Sequence, residues 1–183
     1  MKKVNIFLQD KFETIEALAV ADVLRRAEIN VETISLEESL QVKSAQGITV
    51  LADRMYEGYD FSQTDLYFLP GGPGTISYMD KQEFLELIKR SYSDGKWIAA
   101  ICAAPSILGN LGILEGKKAT CFPGFEKYMR GAQIVDEKVV KDNNVITSRG
   151  MGTAIPFALA LTEQLVSREK AEEIKKGIIY GHA

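Results

Sequence analysis

Cys102 is one of two cysteines in the chain, and it stands among neighbours that suit a reactive thiol: Ala99-Ala100-Ile101-Cys102-Ala103-Ala104-Pro105. The apolar run Lys96–Ile101 reads as a strand covered on both faces, and a short helix to about Leu111, with Pro105 in its first turn, is predicted to follow. Small residues at Ala100 and Ala104, two positions to either side, match the spacing of a nucleophile elbow. That sharp turn crowds both flanks and holds its central residue in strained backbone. A thiol there points at a helix N-terminus, where unpaired N–H groups favour the thiolate. The expectation is therefore a pKa below the free value of about 8.5. The plainer reading of the same residue is a buried cysteine packing as a small hydrophobe.

Two further features fall where such a thiol would need help. Pro70-Gly71-Gly72-Pro73-Gly74 follows the apolar strand Asp65–Leu69. Consecutive glycines let backbone N–H groups approach a ligand and form an anion nest. The stretch lacks the spacing of a dinucleotide fingerprint and the lysine of a P-loop; its ordinary reading is a tight turn. The second feature is an acid on an apolar face. With Glu13 set at zero on a helix over Glu13–Glu28, Thr14, Asp22, Arg25, Arg26 and Glu28 fall at roughly 60–220°. Glu16 falls near 300°, between Val23 and Ala27, which is the side expected to be buried. A buried carboxyl without a charge partner takes up a proton, and beside a thiolate it would serve as hydrogen-bond donor and general acid/base. A solvent-reaching glutamate in the first helical turn is the alternative.

These residues need elements to position them. Strand patterns are predicted at Val4–Leu8, Val31–Leu36, Ile48–Ala52 (paired with Val42–Ala45), Asp65–Leu69, Lys96–Ile101, Ala119–Cys121 and Asn144–Thr147, with a small hairpin over Ile134–Val140. Helices are predicted at Glu13–Glu28, at Asp80–Tyr92 with Asp80 as N-cap and Glu83 completing a capping box, and at Met151–Val166 and Arg168–Gly177. This alternation implies an α/β fold, a mostly parallel sheet with helices on both faces. Ligands of such sheets sit beyond the carboxyl ends of the strands, where all three features fall.

The chain has 183 residues, 46% of them hydrophobic and 26% charged, enough for one domain over 1–183 with a sizeable core. Twenty-two basic and 25 acidic residues leave a net charge of −3, which gives no support for nucleic-acid binding. No apolar run approaches the roughly 18 residues of a membrane span. The first residues enter a strand pattern without a secretory signal, and two cysteines make no disulfide framework, so a cytoplasmic location is expected. The single histidine, His182, is the penultimate residue, which excludes most histidine-based mechanisms.

Taken together the chain resembles the ThiJ/PfpI family along essentially its whole length. The resemblance rests on the Glu16 helix through Ala21-Asp22-Val23-Leu24-Arg25-Arg26-Ala27, on Leu69-Pro70-Gly71-Gly72, on the Cys102 segment, and on Thr147-Ser148-Arg149-Gly150 followed by Gly152-Thr153. It implies a flavodoxin-like three-layer sandwich, a homodimer, and a reactive Cys102 whose sulfur is hydrogen-bonded by a protonated Glu16. Backbone N–H groups of Gly71, Gly72 and Ala103 would be oxyanion donors. The implied activity is cofactor-free, metal-free processing of reactive carbonyls, converting 2-oxoaldehydes to hydroxy acids or removing early glycation adducts, with protection against oxidative stress. In relatives an arginine matching Arg26 approaches the partner subunit's pocket.

One departure bears on mechanism. Where many relatives have a His-Pro pair, this chain has Phe122-Pro123. A Cys–His pair activates the nucleophile and protonates an amine leaving group in protease-type relatives, so the replacement argues against protease or amidase activity. A glyoxalase route needs only one acid/base, which Glu16 supplies. Arg149 either holds a carboxylate-bearing ligand or is structural, and Cys121 reads as a buried strand cysteine. The competing readings are a redox sensor or chaperone using oxidation of Cys102, a flavin carrier and a glutamine amidotransferase. The flavin carrier lacks a hydroxyl-rich phosphate loop after the first strand. The amidotransferase lacks a late His–acid pair.

Overall fold

The first strand, β1 (Lys3–Leu8), sends Val4, Ile6 and Leu8 to one face and Phe7 to the other, all of them buried. The computed structural model describes residues 1–181; His182, weighed above, lies outside the described residues. After β1 come α1 (Thr14–Arg26), β2 (Asn30–Ser35), an antiparallel hairpin of β3 (Gln41–Lys43) and β4 (Thr49–Leu51), a short β5 (Arg54–Met55) and β6 (Leu66–Leu69). A 3₁₀ segment over Pro73–Asp80 leads into α2 (Gln82–Ser93), β7 (Trp97–Ile101) and α3 (Pro105–Asn110). The chain continues through β8 (Lys118–Ala119), β9 (Gln133–Ile134), β10 (Val139–Asp142), β11 (Val145–Ser148), α4 (Ala154–Leu165) and α5 (Arg168–Gly177).

Seven strands form the central sheet in the order β10-β11-β7-β6-β1-β2-β5. All neighbours run parallel except β10 against β11. Helices α1, α4 and α5 pack on one face and α2 and α3 on the other, which makes the expected three layers. Each face closes a separate core, because alternate side chains of the buried strands point to opposite sides: Phe68, Ala99 and Ile101 into one core, Leu69, Ile98 and Ala100 into the other. From β1 the chain passes to β2 on one side, while β6 lies on its other side. Strand order reverses there, and loops diverging from the carboxyl ends of β1 and β6 open a crevice. The α1 N-terminus, the glycine turn and Cys102 all come from these ends.

Most element boundaries fall within two residues of the predicted ones, and α5 coincides with its prediction. Two expectations are overturned. The predicted hairpin over Ile134–Val140 does not form: β9 pairs in parallel with β8, and β10 pairs with β11 across a turn at Asn143, whose φ is 49°. Asn143 tolerates that left-handed conformation, so the turn chemistry sits in Asp142-Asn143-Asn144. The predicted cap of α2 fails as well. Asp80 ends the 3₁₀ segment, Lys81 occupies the N-cap position, and no side chain caps the helix. Packing explains this: Tyr78 is fully buried against Phe84, which fixes the path into α2 without a capping side chain. The 3₁₀ segment and β5 have no counterpart in the sequence prediction.

Candidate active site

Helix α1 enters the crevice under two restraints. Phe12 is fully buried just before its N-terminus, and Gln46 of the β3–β4 loop accepts from Thr14 Oγ1 at 2.7 Å and donates to Glu13 Oε2 at 2.9 Å. This strap buries Thr14, which periodicity alone assigns to the solvent side. The rotation it sets turns Glu16 inward, leaving the residue 1% exposed. The backbone N–H of Gly71 donates to Glu16 Oε2 at 2.9 Å, and the same carboxyl lies beside the Cys102 side chain, both pressed against Gly71.

Cys102 has φ 66°, in the left-handed region that side chains with a Cβ rarely enter. Its N–H donates to Ser148 O at 3.0 Å, and its carbonyl accepts from Phe122 N–H at 2.8 Å. Strained backbone persists when its surroundings over-determine it, and β11 on one side with the Phe122 backbone on the other does so here. The loop after β11 is itself locked. Ser148 Oγ lies 2.7 Å from Thr153 Oγ1, which also accepts from Gly150 N–H at 3.1 Å.

Close approach explains the glycines. A Cβ on Gly71 would lie 2.5 Å from Cys102 Cβ, 2.7 Å from Glu16 Oε2 and 2.9 Å from the Ile101 carbonyl oxygen. Gly72 takes φ 104°, and a Cβ there would strike Glu13 N and Lys11 O, both at 2.6 Å. The turn therefore presses backbone against the elbow. The Gly72 and Ala103 backbone flanks the elbow and favours the thiolate, while the Gly71 N–H is engaged by Glu16.

Burial dominates the electrostatics. It pushes the Glu16 carboxyl up to about 7, against the hydrogen bonds to Cys102 and Gly71 that pull it down; Glu13 adds a small upward push. Cys102 rises to about 12, first through burial and then through the Glu16 charge, with the Gly72 and Ala103 N–H groups acting in the opposite direction. The expectation that the helix N-terminus would lower the thiol pKa is thus corrected. Desolvation next to a carboxyl outweighs the backbone donors. Two acids that share one buried site keep at least one proton between them at neutral pH, so sulfur and carboxyl titrate as a pair.

The remaining candidates fall elsewhere. Arg149 is ion-paired with Asp136, and Arg26 is paired with Asp22 at 2.7 Å on the exposed side of α1. Arg26 lies about 15 Å along the helix from Glu16, at 1.5 Å per residue, so within this chain it does not reach the sulfur. Cys121 is buried in the core on the α2 side, as expected of a packing cysteine. The Phe122 ring lies beside Gly150, where a Cβ would come 3.3 Å from the ring and 3.8 Å from Glu16 Oε1. Gly150 therefore fills the space between ring and carboxyl. Sequence reasoning missed Tyr78, whose hydroxyl sits 3.3 Å from the Phe7 carbonyl and 3.4 Å from the Pro70 carbonyl beneath the glycine turn. No local signal marks it, because its partners are distant in the chain. Among the described residues no cluster of three or more His, Cys, Asp or Glu could hold a metal, and no helix is long and apolar enough to cross a membrane.

A model of the DJ-1/PfpI family matches residues 2–164. The chain is 37% identical over 184 residues to protein dj-1beta of Drosophila melanogaster, covering 99% of this chain and 98% of that one. The crystal structure of that relative superposes with a TM-score of 0.94 over 99% of both chains. Identity to protein DJ-1 homolog B of Arabidopsis thaliana is 39% over 181 residues, 97% of this chain and 41% of that longer relative. A Schizosaccharomyces pombe relative described as glutathione-independent glyoxalase DJ-1 is 30% identical over 189 residues, 97% of this chain and 98% of that one.

Proposed function

Because the chain belongs to the DJ-1/PfpI family, we propose that it converts 2-oxoaldehydes to 2-hydroxy acids without glutathione or any cofactor, using Cys102 as nucleophile and Glu16 as proton carrier. One observation carries the reading: a fully buried carboxyl lies against a half-buried thiol at a strained elbow. In addition, two relatives, from Schizosaccharomyces pombe and Caenorhabditis elegans, are named as glutathione-independent glyoxalases.

In the proposed route the sulfur adds to the aldehyde carbon as its proton passes to the ionised Glu16 carboxylate. The product is a hemithioacetal whose oxygen is held by the Gly72 and Ala103 N–H groups. Glu16 gives that proton to the adduct oxygen or to solvent and, as carboxylate, removes the C–H proton of the former aldehyde carbon. It then returns the proton to the neighbouring carbon, while the hydroxyl proton of the former aldehyde passes to the former ketone oxygen. The aldehyde carbon is oxidised and the ketone carbon reduced within one molecule, so no external electron acceptor is needed. The resulting thioester is hydrolysed by water, releasing the hydroxy acid and the thiol. Amine-releasing hydrolysis fits less well, because Phe122 offers no proton beside the sulfur.

Purified protein incubated with methylglyoxal alone is expected to form lactate, with Cys102→Ser and Glu16→Gln each reducing the rate at least about a hundredfold. Lactate formation unaffected by both substitutions would overturn the assignment. A second reading, oxidation sensing at Cys102, is favoured by the partial exposure of that residue next to the buried Glu16 carboxyl. It predicts two added oxygens at Cys102 under mild peroxide, with no lactate formed. We also propose a homodimer. Ile15 on α1, with Ile48 and Leu51 on the adjoining β3–β4 hairpin, is exposed and would supply apolar surface for a second copy to cover.

A further inference from the structure

Beside the elbow lies an apolar groove of about 400 Å³. Its inner wall is Gly72 and Ala103: Ala103 follows Cys102 in the chain, and Gly72 follows Gly71, where a Cβ would lie 2.5 Å from Cys102 Cβ. Its outer wall is Ile76, Met79, Phe125 and Tyr128. Larger clefts of about 590 and 720 Å³ lie around Tyr56–Arg90 and around the N-terminus, but neither includes a residue of the elbow or the glycine turn.

We propose that this groove seats the substituent of the 2-oxoaldehyde, and that the enzyme therefore prefers an aryl-sized apolar substituent to the methyl group of methylglyoxal. The inference rests on the carbonyl-processing reading above. A carbonyl held by the Gly72 and Ala103 N–H groups lies at the head of the groove, so its substituent extends along the outer wall. Ile76 is 79% exposed, Tyr128 44% and Met79 37%, a concentration of uncovered apolar side chains at the mouth of one reactive group. The wall is built rather than frayed. Ser77 Oγ donates to Gln9 Oε1 at 2.8 Å, Gly74 N–H donates to Lys11 O at 3.1 Å, and Tyr78 turns into the core. Those anchors leave Ile76 and Met79 facing outward from the same 3₁₀ segment. A methyl group covers little of such a surface, whereas a phenyl ring reaches across it.

The test compares phenylglyoxal with methylglyoxal by kcat/KM, and separately the rates at which N-benzyl and N-methyl iodoacetamide alkylate Cys102. In the alkylation the sulfur displaces iodide; rates are normalised to free cysteine and the site is mapped by peptide mass. The expected result is an aryl preference of about tenfold or more in both, falling about tenfold in Ile76→Ser and in Tyr128→Ala. Both side chains are substantially exposed, so the folded protein is expected to survive either change. Turnover of both aldehydes without an aryl preference, or a preference that neither substitution alters, overturns the groove assignment and leaves the glyoxalase reading intact. If neither aldehyde turns over but the benzyl reagent keeps an advantage that the substitutions remove, the groove assignment stands and the glyoxalase reading fails.

Discussion

Glu16 carries a carboxyl that water scarcely reaches, and its stability consequence has a definite sign. Its folded pKa of about 7 lies above the unfolded value of 4.5, so the native state binds the extra proton. The contribution is complete below the unfolded value and is lost as pH rises through about 7, at about 1.4 kcal/mol per pH unit, or roughly 3 kcal/mol in all. Glu16→Gln keeps an acceptor for the Gly71 N–H and removes the ionisation. The Tm difference, variant minus wild type, is therefore expected to grow from about pH 4 to about pH 8, as differential scanning calorimetry would measure. A constant difference would mean that the carboxyl is not desolvated in solution. The same group sets the rate profile. For wild type, kcat/KM with methylglyoxal is expected to fall below about pH 7 as the pair takes up its second proton. The variant also removes the charge facing the sulfur, so the Cys102 thiol should titrate below its wild-type value of about 12 when followed by thiolate absorbance.

The glycine turn is where element geometry decides the chemistry. At Gly72 a Cβ would meet fixed backbone atoms of Lys11 and Glu13, and the residue has φ 104°. Gly72→Ala is therefore expected to destabilise the fold by about 2 kcal/mol or more. It should also lower turnover by moving the N–H that the proposed route assigns to the adduct oxygen; urea unfolding and lactate formation measure the two effects. A contrasting case lies far from the site. Ser167 caps α5 by accepting from Lys170 N–H at 3.2 Å, so Ser167→Ala is expected to cost about 1 kcal/mol, with methylglyoxal turnover unchanged.

At the scale of the whole molecule, both cores are closed within one chain, while Ile15, Ile48 and Leu51 remain uncovered. If a second copy covers them, Leu51→Glu places a charge in that contact and should shift the protein to monomer in light scattering. Its thermal unfolding should move little once protomer concentration is accounted for, because Leu51 is 68% exposed within the chain. A dimer unaffected by the substitution would place the contact elsewhere.

The α/β architecture was legible in the chain, because strands buried on both faces read as continuous apolar runs and helices repeat at their own period. Both are properties of windows of a few residues. Cys102 was legible as an elbow from its small neighbours, and Glu16 as an inward acid from helical phase alone. What the sequence left open was the partner of each polar group. The Gly71 N–H goes to Glu16, 55 positions away, and Arg149 goes to Asp136 rather than into the pocket. The direction of the thiol pKa was open for the same reason. A helix N-terminus is a local feature that favours the anion, whereas burial and the nearby carboxyl arise only when β1, β6 and β7 bring their carboxyl ends together. Desolvation depends on everything packed around a group, and that is decided by tertiary structure.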